Sequence, residues 1–418
     1  MAPTLSVLTR QRDFRYLFLA ELVVFGGDWF VLIPLVTLLQ ELTGSGLPGA
    51  IALAADTAVG ALVLPLAGTF ADRMNRRTLM IAANIGAIVA VTLLFAVRSA
   101  ELAWIGPLGI GLAAVAKAVY TPAASAALPN VVDAADLAAA NALAGSAWGT
   151  MAVVGASLGG VLSQVVSPYA CFGITVVCLA AAALLVLRVR RPLQASRSGP
   201  RVAARPVQEI AEAMRYIRAR PRVASLVTVK SAVGLGNGVL AAFSVLAVVT
   251  YGLGAVATGL LFAARGVGVI VGPLLFRRVL EHRDWLVPGL AVSMLSYGVA
   301  YLAVSVTPWF WLVLVLVAVA HVSGGGNWVM SSYALQITVP DELRGRVFST
   351  DHMITSLSIS VSMLIAGALV DVVGPRPAIA VCGALTACYG LVWFLITRRI
   401  MRDEPAVEAA AVSSQAAS

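Results

Sequence analysis

The sequence predicts an all-α membrane protein whose twelve transmembrane helices fall into two six-helix pseudo-symmetric bundles. Three observations predict this class. Hydrophobic residues make up 60% of the 418-residue chain and charged residues only 12%, with a mean hydropathy of +0.92, which excludes an ordinary soluble globular protein. All but five of the 29 Lys and Arg residues fall in every second gap between long apolar runs. Basic residues gather at the cytoplasmic ends of membrane helices, so this alternation sets topology and orientation together. Finally, the two halves of the chain echo one another.

A spanning helix needs about 20 apolar residues. Runs of that kind lie near 15–40, 47–71, 78–98, 101–126, 137–164, 168–188, 222–250, 255–276, 285–306, 309–336, 346–370 and 376–397. Arg10, Arg12 and Arg15 precede the first run and place the amino terminus in the cytoplasm. No A-x-A cleavage pattern follows a short apolar core, so this run reads as an uncleaved first helix. Arg73, Arg76 and Arg77 follow the second run, and Arg277, Arg278 and Arg283 the eighth. Arg344 and Arg346 follow the tenth, and Arg398, Arg399 and Arg402 the twelfth, so both termini read as cytoplasmic. The expected location is the inner or plasma membrane, with the chain crossing it many times. The formal charge of +9 resides in these loops, and its partner is the anionic headgroup layer rather than nucleic acid. Cys171, Cys178, Cys382 and Cys388 lie inside apolar runs without a CxxC, which implies neither a disulfide framework nor a zinc site.

The longest polar gap, 189–221, separates a first bundle at 1–188 from a second at 222–402. Within it Val207, Ile210, Met214 and Ile217 recur at spacings of three and four between Pro206 and Pro221, the pattern of an amphipathic helix on the cytoplasmic face. A regulatory element and a plain helical linker are both compatible with it. The tail at 403–418 is small and polar, the composition of a disordered segment. Across the gap, "LVLPLAGTFADR" in the second run lines up with "VIVGPLLFRRV" in the eighth, Pro65 on Pro273. "LPNVVDAADLAAANAL" before the fifth run is similar to "TVPDELRGRVFS" before the eleventh.

"GTFADRMNRR", Gly68 to Arg77, resembles the G-x-L-A-D-R-x-G-R-R loop that marks the major facilitator superfamily, with Phe70 for Leu and Asn75 for the second Gly. Asn is tolerated there because it enters positive-φ turns more readily than most residues. "FRYLFLAELVVFGGDWFVLIPL", "ELTGSGLPGAIAL", "YTPAASAALPNVVDAADLAAANAL" and "LQITVPDELRGRVFST" resemble the macrolide-efflux and enterobactin-exporter-like drug:proton antiporter branch. The resemblance implies two parallel six-helix repeats with the pathway between them. It implies a cytoplasmic gate motif of Gly68, Asp72, Arg73, Arg76 and Arg77 that latches to the start of helix eleven near Arg344 and Arg346. "GASLGG", with Gly155, Gly159 and Gly160, resembles the helix-packing motif of antiporter helix five, although Ala156 stands where Pro is usual. Helix four has Pro122-Ala-Ala-Ser-Ala, without the arginine usual in that branch.

Charges inside the membrane are costly and mark pathways or partners. Glu21 and Asp28 lie seven residues apart in the first run, nearly on one face, with Asp28 about 20 Å above Arg15 at a rise of about 1.5 Å per residue. Asp56, Lys117, Lys230, Arg265 and His321 complete the set expected along a proton and substrate pathway, helices one, four, seven and ten lining the cavity by the resemblance. Competition between a proton, a substrate and a lysine for Asp28 would couple transport to protons. The other reading is of permanent ion pairs, Asp28 with Lys117 or Asp56 with Arg265, that fix helix register. Asp351, His352 and Asp371 lie nearer run ends, where a solvated role is expected. Phe25, Trp29, Trp148 and Trp328 suit either an aromatic substrate or packing.

"GSGLPG", Gly44 to Gly49, matches G-x-G-x-x-G but follows no strand, and no G-x-x-x-x-G-K-[ST] occurs, so neither nucleotide binding nor a self-contained ATP-driven pump is expected. With three His, no metal-ligand cluster and no nucleophile motif, the sequence predicts no enzyme, metal or cofactor. The expected function is secondary transport by a monomer, proton-coupled efflux of a small amphipathic molecule. Proton-coupled import of a metabolite and a non-transporting helper role are the alternatives.

Overall fold

The computed structural model describes the backbone of residues 2–194, 206–280 and 282–416; within these helices some side chains, among them 64–66, 68–73 and 401–416, fall outside the described residues. Twelve long helices follow in order: α1 Arg12–Thr43, α2 Leu47–Arg73, α3 Arg76–Leu93, α4 Ile105–Val131, α5 Leu137–Val165, α6 Pro168–Arg188, α7 Pro221–Thr250, α8 Gly254–Leu275, α9 Leu286–Val306, α10 Phe310–Thr338, α11 Asp341–Val373 and α12 Pro375–Ala416. Ten are long and apolar enough to cross a membrane over their described residues, and α2 and α5 add the apolar stretches Leu47–Val63 and Gly149–Val165. A short helix, Ala2–Arg10, precedes α1, and a linker helix, Pro206–Arg218, precedes α7.

Local chemistry sets the helix ends. α1 stops at Gly44, whose φ of 66° lies in the left-handed region that an L side chain resists. α6 opens on Ser167, which accepts from the Ala170 N–H, with Pro168 in the first turn. Asn75 does not occupy the positive-φ turn expected of it: at φ −66° it is the N-cap of α3, accepting from the N–H groups of Arg77 and Thr78. That is the other structural use of a short amide, and the sequence alone does not separate the two. α7 is not one continuous helix. It breaks at Gly236–Gly238, where a Cβ on Gly236 would stand 2.5 Å from the Tyr297 ring, and ends in a π-helical turn over Leu246–Thr250. α12 carries helix to Ala416, through residues expected to be disordered. The Ala-rich run there has high intrinsic helix propensity.

Within the first bundle α1 packs on α5 and α6, α2 on α4, and α3 on α4 and α6. In the second, α7 packs on α11 and α12, α8 on α10, and α9 on α10 and α12. Two helix pairs make the main contacts between the bundles, α2 with α11 and α5 with α8, while α1 also touches α7 and α8 and α2 touches α7. The second pair is very close: a Cβ at Gly160 would stand 2.7 Å from the Ala255 carbonyl, and one at Gly259 2.6 Å from the Ala156 carbonyl. Such backbone approach is how membrane helices gain contact where no hydrophobic drive separates them from lipid. The linker helix buries Ala213 and Ile217 against the second bundle, beside α7 and α11, and Glu212 pairs with Arg346 on α11. Ile210 and Met214 are half-buried on the expected stripe, and the side chain of Val207 lies outside the described residues.

Candidate functional site

Three of the expected charges converge. On α1, Gly27 leaves room for Thr175 of α6 and Gly26 for Met151 of α5, which sets that face of α1 against the bundle and turns Asp28 inward. Lys117 of α4 lies between two carboxylates, its Nζ 2.7 Å from Asp28 Oδ2 and 2.8 Å from Asp56 Oδ1 of α2. Their side chains are 23%, 30% and 26% exposed for Lys117, Asp28 and Asp56, so the cluster is only partly covered by the helices around it. Asp56 thus pairs with Lys117, where one reading of the sequence paired it with Arg265. One ammonium opposes two carboxylates, a cluster with a surplus negative charge at mid-depth in an apolar helix array. A charge in that setting costs several kcal/mol unless paired, and a surplus recruits a cation or a proton.

Glu21 is half-buried on α1, two turns toward the arginine-rich end from Asp28, and close enough to Tyr120 of α4 for electrostatic interaction. The Tyr120 ring is buried and its hydroxyl has no hydrogen-bond partner among the described residues. Sequence reasoning missed Tyr120. Its signal is its spacing of three from Lys117, which puts both on one face of α4.

The other expected pathway residues lie elsewhere. Arg265 of α8 stands over the Trp29 ring of α1, 5.5 Å from its centroid, across the junction between bundles. Trp29 also meets Phe262 at 5.9 Å, and Phe262 meets Phe243 at 5.2 Å, so Trp29 serves interbundle packing above Asp28. His321 does not reach the carboxylates. It is 2% exposed between α9 and α10, its Nε2 2.9 Å from the Tyr301 hydroxyl and its ring edge-on to Tyr297, and Arg265 acts on all three electrostatically. Lys230 of α7 forms a second centre, apart from the first. It pairs with Asp351 of α11, both side chains almost fully buried, under the Trp328 ring at 4.8 Å, with His352 edge-on to the same ring. Asp351 is therefore not the solvated helix-end residue expected. α11 begins at Asp341, earlier than its apolar run, and places Asp351 ten residues, about 15 Å, inside the helix. The signal for it was Lys230 itself, since a buried ammonium requires a counter-ion.

Of the gate motif, the surroundings of Gly68 and the side chains of Asp72, Arg73 and Arg344 lie outside the described residues, as does that of Trp148. Arg76 donates to the carbonyls of Ala126 in the first bundle and Leu193 just beyond it, and Arg77 to that of Val189 at the start of the linker. Arg346 of the second bundle pairs with Glu212 of the linker helix. At this arginine-rich end Arg10 pairs with Asp136 within the first bundle, and Arg191 of the linker pairs with Asp133 of that bundle. Gly155 abuts the Gly26 carbonyl and Gly159 the backbone of Phe30, while Gly160 faces α8, so these three glycines seat α5 against α1 and the other bundle together. Among the described residues no group of three or more His, Cys, Asp or Glu is placed to hold a metal ion.

The sequence matches the family model of the Major Facilitator Superfamily over residues 17–291 and 282–416. It is 23% identical over 385 residues, covering 88% of each chain, to the uncharacterized MFS-type transporter YfiS of Bacillus subtilis (strain 168). Among solved structures it is similar to a bacterial homolog of the human lysosomal transporter Spinster, inward-facing and unoccupied, with a TM-score of 0.73 and 16% identity over 94% of this chain and 98% of that one. It is also similar to a POT family transporter in complex with 5-aminolevulinic acid, with a TM-score of 0.73 and 11% identity over 93% and 97% of the two chains. At such identities the structural likeness carries the fold alone, but the family match spans both bundles: this chain belongs to the Major Facilitator Superfamily and is a membrane transporter.

Proposed function

We propose that the protein is a proton-coupled exporter of a small amphipathic molecule, drug-like or siderophore-like, working by alternating access with its arginine-rich end in the cytoplasm. The observation that carries this reading is Lys117 shared by Asp28 and Asp56. With the ammonium committed to two carboxylates, a proton arriving on Asp28 leaves Lys117 paired with Asp56 alone and removes the surplus charge. A substrate carrying a positive or hydrogen-bond-donating group competes for the same carboxylate, so proton and substrate exclude one another, the condition for exchange. Glu21 and Tyr120, on the arginine-rich side, are the next groups a proton leaving Asp28 meets. The motifs similar to those of drug:proton antiporters and the α5 glycines favour export over import.

The test is a growth-inhibition panel of toxic amphipathic compounds in cells with and without the protein, each repeated with an uncoupler and with Asp28→Asn. Export predicts protection that the uncoupler abolishes and that Asp28→Asn loses at normal membrane levels. Protection indifferent to the uncoupler would contradict proton coupling. Sensitisation by the wild-type protein would point to import instead.

A further inference from the structure

At the arginine-poor end, the backbone N–H just before α2 and one in the first turn of α8 are each bound from the opposite bundle, while Ser45 caps the Leu47 N–H of α2 locally. Asp371, near the end of α11, accepts from the Gly46 N–H at 2.6 Å and from the Ser45 hydroxyl. Gln164, near the end of α5, accepts from the Val256 N–H at 2.9 Å, and its side chain lies against Gly254. Leu253, which precedes α8, offers no side-chain cap, so Gln164 supplies from across the junction the acceptor that a Ser or Asp would supply locally. The internal repeat relates the two contacts. At the spacing that superposes Pro65 on Pro273, Gly46 falls on Gly254, and Asp371 falls within one residue of Gln164's equivalent.

The first-turn N–H groups of a helix have no partner inside it, and the positive end of its dipole favours an acceptor, best an anion. α2 and α8 therefore present donors at the junction that the opposite bundle satisfies when the two meet. The packing around the first contact is close, a Cβ at Gly46 standing 3.0 Å from Val245 and 3.1 Å from Val370. We propose that Asp371 and Gln164 are paired gate residues of the transport cycle, their caps made when the arginine-poor end is closed and broken when the bundles part there. The proposal concerns the gate and not the coupling site, so it stands or falls separately from the proton-coupled reading. The two clasps differ in strength. Asp371 is charged and accepts twice, whereas Gln164 is neutral, accepts once and borders a recess of about 490 Å³ where water competes for the same donor.

The test is a distance measurement by double electron–electron resonance on the full chain, with Cys171, Cys178, Cys382 and Cys388 replaced. Spin labels at Leu102→Cys and Val306→Cys, both exposed, report the arginine-poor end from opposite bundles. Asp371→Ala is expected to raise the long-distance population roughly tenfold, as loss of a charge-assisted contact does to a two-state balance. Gln164→Ala is expected to raise it less, and the double variant most. Unchanged distributions in a folded, monodisperse Asp371→Ala protein would overturn the proposal. Should that variant fail to fold, unchanged distributions in both Ser45→Ala and Gln164→Ala would overturn it equally.

Discussion

Lys117 holds two carboxylates together, and Lys230 holds one in a much drier place, so the two lysines make different predictions. Removing one partner of an almost fully buried pair leaves an uncompensated charge, at a cost of about 3–5 kcal/mol. Asp351→Ala is accordingly expected to lower the thermal unfolding temperature in detergent strongly, and Lys230→Met combined with Asp351→Leu to restore most of the loss. Additive losses would show that the two side chains do not act as a pair. At Lys117 the cluster is partly solvated, and Lys117→Met is expected to cost on the order of 1–2 kcal/mol, with transport lost outright. The sequence displayed all of these charges, because ionisable residues stand out in apolar runs. Of their partners it offered Asp28 for Lys117, as the structure has it, and missed the rest. Asp56 went to Lys117 and Lys230 to Asp351 because helix rotation decides partners, and rotation follows from glycine contacts such as Gly26 and Gly27 that no linear pattern reveals.

At the scale of elements, the helices were legible because bilayer thickness sets a single length and arginines mark every second end. The exceptions have local causes: α11 begins earlier than its apolar run because Asp341 to Arg346 are polar yet helical, and α7 breaks where Gly236 and Gly238 meet α9 and α11. The α5–α8 junction makes its own prediction. Gly160→Leu places a side chain where 2.7 Å remains to the Ala255 carbonyl, so the arginine-poor end should no longer close. The expected outcome is normal membrane insertion, loss of transport and a shift of the distance distribution toward opening; transport at the parental rate would contradict it. The docking of α1's approach onto the α4–α5 turn is expected to depend on pH. The Gln11 amide, followed by the Arg191 guanidinium, holds the Asp133 carboxyl below the usual carboxylate range. A depressed folded pKa stabilises above the unfolded value of about 4 and is lost as the pH falls through the folded value. Asp133→Asn should therefore melt lower than the parent at neutral pH and converge with it in acid, and a constant gap between the two melting curves would contradict this.

For the whole molecule, the arginine asymmetry and the polar contacts describe two unlike ends. At the arginine-poor end Asp371 and Gln164 cross between bundles, while among the contacts described at the arginine-rich end Arg10 pairs within the first bundle, Arg76 and Arg77 reach carbonyls of the first bundle and the linker, Arg191 of the linker pairs with Asp133, and Arg346 pairs with Glu212 of the linker helix. Topology predicts that a fluorescent reporter fused after Ser418 is active in the cytoplasm and that a periplasmic reporter there is silent. The central claim, that the Asp28–Lys117–Asp56 cluster couples substrate to protons, is tested most directly in proteoliposomes. A compound found in the growth panel is followed with an imposed pH gradient and, separately, in substrate-for-substrate exchange, which moves no net proton. For Asp28→Asn the account predicts exchange retained and gradient-driven accumulation abolished. Gradient-driven accumulation at the wild-type rate in that variant would contradict it.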